Sequence, residues 1–232
     1  MVVTRRYAAL AFRLAAMVSI TTGLVRLVWL FGSGLSGAAF LYYTTLSNVL
    51  VLVWMAVMAA ITVKDIARDG PRGVSAPWPR LGAAVMMAIT VTMLIYLFVL
   101  APAAFKQSGS DYVPFTLTDD LIHIVTPCLA IADWFLFAPK GCLRLYDPPL
   151  WAIIPYIYLA FAFTWSALGG TFGVGGHYPY SFMDVGEYGL GGVALQILVL
   201  TVTLVAFGYI YVLADKLLAR RARGRAAQAT AA

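Results

Sequence analysis

The sequence predicts an all-α, polytopic membrane protein with six transmembrane helices and both termini cytoplasmic. Three observations carry that reading. Of 232 residues, 62% are hydrophobic and 11% charged, and the mean hydropathy is +0.87. A soluble domain cannot hide that much apolar surface, whereas a bilayer solvates it. The apolar residues gather into six runs, each long enough for the roughly 20 residues a spanning helix needs. The basic residues outside those runs fall almost entirely on one side of the resulting topology, and basic loops stay cytoplasmic.

The first span covers about residues 7–31. Thr4-Arg5-Arg6 before it faintly resembles a twin-arginine export signal. The run is too long for a signal peptide, is interrupted by Arg13 and Arg26, and precedes no small-residue cleavage site, so it is read as retained. Gly32 to Gly37 form a short loop, and the second span follows over about 39–63. The polar loop 64–80 carries Gly70-Pro71 and Pro77-Trp78-Pro79 as turn signals. The third span is about 81–105, with a loop through Lys106, Asp111 and Pro114 after it. The fourth is about 118–138, the fifth about 150–168, and the sixth about 189–218, with loops at 139–149 and, Gly-rich, at 169–188. Residues 1–218 thus form one domain. Arg220, Arg221, Arg223 and Arg225 lie in a basic, Ala-rich tail over 219–232 that is predicted to be disordered.

Arg5, Arg6, Lys64, Arg68, Arg72, Arg80, Lys140, Arg144, Lys216 and the tail arginines share one side, and Lys106 alone lies opposite. The net charge of +6, from 16 basic and 10 acidic residues, is therefore a fringe facing anionic headgroups. Membrane lipids are the expected partners, and no nucleic acid is. The two cysteines, Cys128 and Cys142, form no disulfide or metal-site pattern, and no metal or other cofactor is expected.

The chemistry concentrates in Tyr42-Tyr43-Thr44-Thr45-Leu46-Ser47-Asn48 at the head of the second span, and in His123 near the head of the fourth. A rise of about 1.5 Å per residue gives each polar residue a depth. Both spans descend from the outer side and the first climbs toward it, so Arg26, Thr44, Thr45, Asn48 and His123 share an outer level. Arg13 and Asp133 share an inner level and make a structural ion pair on this count, because intramembrane charges are costly unless paired.

Helix packing alone accounts for some of these groups. Threonine hydroxyls in membrane helices commonly bond back to a carbonyl one turn earlier, and asparagine joins helices. The same groups also form a hydrolytic set. Thr45, with Thr44 its neighbour and competitor, supplies a nucleophile, and His123 a base. Asp119 or Asp120 orients the ring from one turn away. Asn48 faces an oxyanion, and Arg26 either snorkels to the headgroups or holds a substrate carboxylate.

Several short motifs resemble one family. Tyr42-Tyr43-Thr44-Thr45-Leu46-Ser47-Asn48, Leu121-Ile122-His123 followed by Pro127 and Asp133-Trp134, Pro155-Tyr156, and Tyr178-Pro179-Tyr180-Ser181-Phe182-Met183-Asp184 are similar, in order, to bacterial six-span relatives of the androgen-induced integral-membrane threonine hydrolases. The likeness spans Arg26 to about Gly192. It implies a protein of the bacterial cytoplasmic membrane that hydrolyses a lipid ester, such as a fatty acid ester of a hydroxy fatty acid. The family's threonine falls on Thr45 and its histidine on His123. Animal members carry an acidic residue near the position of Asn48, where this chain does not.

The alternative function is a lipid or small-molecule binding protein, or a transporter, that uses the same pocket without chemistry. Gly34-Leu35-Ser36-Gly37 matches the wording around a rhomboid nucleophile but lies in a loop and lacks the accompanying histidine context. Gly173 to Gly176 follows no strand and is no phosphate cradle. His177 is a solvated loop residue that joins the site only if its loop folds inward. Tyr178, Tyr180 and Phe182 form either a lid or an interfacial aromatic belt.

Overall fold

The computed structural model describes residues 3–30, 37–106, 114–173 and 176–231. Gly32 to Ser36 of the first loop, and Asp111, lie outside these. Among the described residues there is no strand, only isolated bridges joining Arg5 to Arg72 and Phe172 to Gly176. Six helices among the described residues are long and apolar enough to cross a membrane. They are α1 (Arg6–Leu30), α2 (Tyr43–Asp69), α3 (Pro79–Leu100), α4 (Leu117–Phe137), α5 (Asp147–Ala167) and α6 (Val185–Ala231).

The helix boundaries have local causes. Tyr42 precedes α2 in an extended conformation and caps it with no side-chain bond. The helix then outlasts its apolar run, because nothing between Lys64 and Asp69 breaks it before Gly70-Pro71. Gly70 has a φ of 82°, open to glycine without steric cost, and its N–H donates to the Ile66 carbonyl. Pro79 opens α3, where its missing N–H costs nothing. Thr116 and Asp119 close a reciprocal capping box at the head of α4. At the C-terminus the helix continues to Ala231, through the segment predicted as a disordered tail. Alanine and arginine are among the strongest helix formers, so the basic residues prolong α6.

Within a bilayer, helices associate through close van der Waals packing and interhelical hydrogen bonds. The core follows that rule. Helix α3 is the most buried span, and α5 and α6 the least. Ala16, Ile20, Val51, Met55 and Ile89 join α1, α2 and α3. Met86, Trp134, Trp151 and Val212 join α3, α4, α5 and α6. Tyr43, Tyr158, Phe182 and Met183 seal the opposite end. Glycines allow close approach between helices: a Cβ at Gly208 would lie 2.6 Å from the Pro148 side chain, one at Gly82 2.7 Å from the Trp54 ring, and one at Gly23 3.0 Å from the Ile122 side chain.

The end carrying most basic residues is densely bonded. Arg13, 1% exposed, donates from Nε to Asp133 Oδ1 at 2.8 Å. Its Nη1 reaches Thr62 Oγ1 at 2.7 Å and the carbonyls of Met58 and Ser75 at 3.2 Å. Arg6 donates to Ser75 Oγ and to the carbonyls of Asp65 and Gly70. Arg80 pairs with Asp147, and Asp215 accepts from the Leu143 N–H at 2.9 Å. Lys140 donates to the Trp134 and Ala138 carbonyls and lies over the Trp134 ring; burial pushes its amine down to about 8.

Candidate functional site

The first turns of α2 divide their polar groups between two faces. Tyr43 and Ser47, one turn apart, face α3: Tyr43 Oη donates to the Ala88 carbonyl at 3.0 Å, and Ser47 Oγ lies 2.7 Å from Thr92 Oγ1. Thr44 and Asn48, also one turn apart, face α4. Thr44 Oγ1 lies 3.5 Å from His123 Nε2. Asn48 Nδ2 donates to the Thr44 carbonyl at 2.8 Å and to the Ile122 carbonyl at 3.0 Å. Thr45 is fully buried, and its hydroxyl has no hydrogen-bond partner among the described residues, His123 included. The structure thus brings Thr44, rather than Thr45, to His123. Asn48 spends its donor on backbone carbonyls, so it does not face the space where an oxyanion would form.

The opposite side of the imidazole is equally defined. His123 Nδ1 lies 3.2 Å from the Asp119 carbonyl oxygen and 3.8 Å from Asp119 Oδ1. A carbonyl only accepts, so this contact is a hydrogen bond when Nδ1 carries the proton. That tautomer leaves the lone pair of Nε2 directed at the Thr44 hydroxyl. The Asp119 carboxylate is itself held, accepting from Thr116 Oγ1 at 2.8 Å within the capping box. Asp120, half-buried at the next position, is not the residue that orients the ring.

His123 projects from a π-helical turn, Leu121–Val125. Such turns insert an extra residue and recur at functional sites. Pro127 has no N–H to give to the carbonyl five residues earlier, that of Ile122. Asn48 supplies the missing donor, and Thr126 Oγ1 donates to the neighbouring Leu121 carbonyl at 2.9 Å. A second π turn, Tyr96–Leu100, faces it from α3. The Tyr96 ring stacks on the imidazole, with centroids 4.1 Å apart and planes 7° from parallel. Tyr96 Oη in turn accepts from the Phe115 N–H at 2.7 Å. Phe115 has a φ of 63° and is the one non-glycine residue with positive φ among those described, a conformation that needs its surroundings to hold it.

Tyr180 covers the site from the loop between α5 and α6. Its phenol lies close to the Thr44 and Tyr158 hydroxyls and to the backbone of Tyr43 and Thr44. Those backbone contacts hold the phenol's pKa down, as N–H donation to its oxygen does, and the first amides of an uncapped helix have no intrahelical acceptor. Burial outweighs this and pushes the phenol up to about 12, so it keeps its proton near neutrality. Tyr42 packs edge-on against Tyr180, and Phe182 stacks parallel to it. Phe182 and Met183 are buried, so this loop is packed into the bundle.

Arg26 is exposed and donates from Nε to Thr118 Oγ1 at 3.1 Å, at the first turn of α4. Arg13 and Asp133 lie apart from this group, in the bonded network described above. His177 is exposed. Sequence reasoning missed Tyr96, Thr116 and the contact of Tyr180 with Thr44. Only Tyr180 was visible beforehand, as part of an aromatic loop motif. Scans against protein-family models, curated proteins and solved structures find no significant match to this chain.

Proposed function

We propose that this chain hydrolyses lipid esters within the membrane, with Thr44 as nucleophile and His123 as general base. The observation that carries this reading is the Thr44–His123 pair, with Nδ1 of the ring anchored on Asp119 and Nε2 open toward the hydroxyl. The bonded basic fringe supports an orientation with both termini cytoplasmic, which puts the site in the outer leaflet.

Thr44 Oγ1 attacks the ester carbonyl carbon as its proton passes to His123 Nε2. The Tyr180 hydroxyl donates to the developing oxyanion, and the α2 amides behind it strengthen that donation. The tetrahedral intermediate collapses, the imidazolium protonates the departing alkoxide, and an acyl-threonine remains. Water then gives a proton to His123 as it attacks the acyl carbon. The second collapse returns the proton to Thr44 and releases the acid. Arg26, at the mouth, suits substrates that carry a free carboxylate. No cofactor enters these steps.

A second reading keeps Thr45 as nucleophile, favoured by its unpartnered hydroxyl and by the family resemblance. Labelling of the full-length protein in nanodiscs with a fluorophosphonate tests both. The expected adduct is on Thr44, lost in Thr44→Ala and in His123→Ala and kept in Thr45→Ala. An adduct mapped to Thr45 transfers the role to that residue. The absence of label, with undiminished lipid binding in all three variants, replaces hydrolysis by a binding role.

A further inference from the structure

An apolar crevice of about 50 Å³ lies between α3, α5 and α6, and Tyr43 and Tyr180 form part of its wall. Val91 and Ile95 of α3, Leu159 of α5 and Leu200 of α6 line its interior, and no charged residue does. Ala152, Tyr156 and Thr201 also border an open groove of about 480 Å³ on the outside of α5 and α6. The crevice and groove therefore share a wall, between the two least buried spans. An aliphatic chain passing bare hydroxyls would leave them unsatisfied, and here they are satisfied: Thr201 Oγ1 donates to the Ile197 carbonyl at 2.7 Å and lies 2.8 Å from Tyr156 Oη. With its own proton committed, Thr201 accepts from Tyr156. At the inner end stands Tyr180, whose hydroxyl lies near Thr44.

We propose that this crevice seats a straight aliphatic chain of a membrane lipid, which enters sideways between α5 and α6 with its carbonyl end directed past Tyr180 to Thr44. The chemistry at that carbonyl rests on the hydrolase reading above; the seating of the chain does not. An uncharged, narrow, apolar lining that adjoins a hydrocarbon-facing groove at one end and polar groups at the other fits a chain with a polar terminus. It does not fit a headgroup.

Photocrosslinking tests this on the full-length protein in nanodiscs, with an aryl palmitate bearing a diazirine on a chain carbon close to the ester carbonyl. Adducts are expected on Val91, which is buried and out of reach of annular lipid. They are competed by unlabelled palmitate ester, lost in Leu200→Trp, which fills the crevice, and kept in Leu159→Ala, which enlarges it. Adducts confined to outward residues such as Val199 and Val202, or unchanged by Leu200→Trp, overturn the proposal. Hydrolysis of an acyl series separates the two ideas. Leu200→Trp should lower turnover of long-chain esters by about tenfold relative to short ones, the scale of pocket discrimination. Equal effects at all lengths overturn the crevice. Adducts on Val91 without hydrolysis of any ester remove the hydrolase and leave the chain site standing.

Discussion

Thr44 and Thr45 differ by one position and end on different sides of α2, because a helix turns about 100° between neighbours. Depth along a span follows from counting residues, so the shared level of Thr44, Asn48, His123 and Arg26 was legible. Azimuth depends on which helices lie beside α2, and a single chain does not encode that visibly. Asn48 shows the same limit. Its carboxamide suits an oxyanion donor by composition, yet it binds the carbonyl that Pro127 leaves without a partner. Asn48→Leu should therefore expose a buried acceptor and cost about 1–3 kcal/mol of stability, the penalty for such a group. It should also slow fluorophosphonate labelling of Thr44, because the turn that aims His123 loses its tie. Thermal unfolding in detergent and the labelling rate read the two effects separately. A variant that loses stability but labels at the parental rate disproves the link between Asn48 and the imidazole.

At the scale of elements, the six spans were readable because each is an apolar run bounded by turn residues or charge. The π turns were not. A π turn exists only if further groups donate to its irregular carbonyls, and here the donors come from another helix and from Thr126. Pro127 was the one local hint that the ladder of α4 opens at that level. Gly23 of α1 lets the turn sit where it does: a Cβ there would be 3.0 Å from Ile122 Cγ2 and 3.1 Å from Leu121 Cβ. Gly23→Val should push the turn away from α1 and shift His123 against Thr44. A displacement of about 1 Å at a reacting pair can cost on the order of a hundredfold in rate. Ester turnover should fall on that scale while circular dichroism still reports a fully helical protein. Turnover within twofold of the parent would show that α1 does not set the position of this turn.

Across the whole molecule, polar chemistry divides between two ends. One end gathers Thr44, His123, Asp119 and Tyr180. The other holds Arg13, whose guanidinium joins α1 to α2, to α4 and to the α2–α3 loop through Thr62, Asp133 and Ser75. Arg13 and Asp133 are almost completely buried and closely bonded, which suits a fixed joint better than a proton path. Removing one partner of a buried pair strands the other charge and typically costs about 3–5 kcal/mol, whereas replacing both by apolar residues can be neutral or stabilising. Arg13→Met alone, or Asp133→Leu alone, should then lower the unfolding temperature sharply. The double variant should recover most of the loss and retain Thr44 labelling, because the joint lies outside the site. If the double variant unfolds normally yet loses labelling, the two ends are functionally coupled, and Asp133 belongs to the mechanism rather than to the frame.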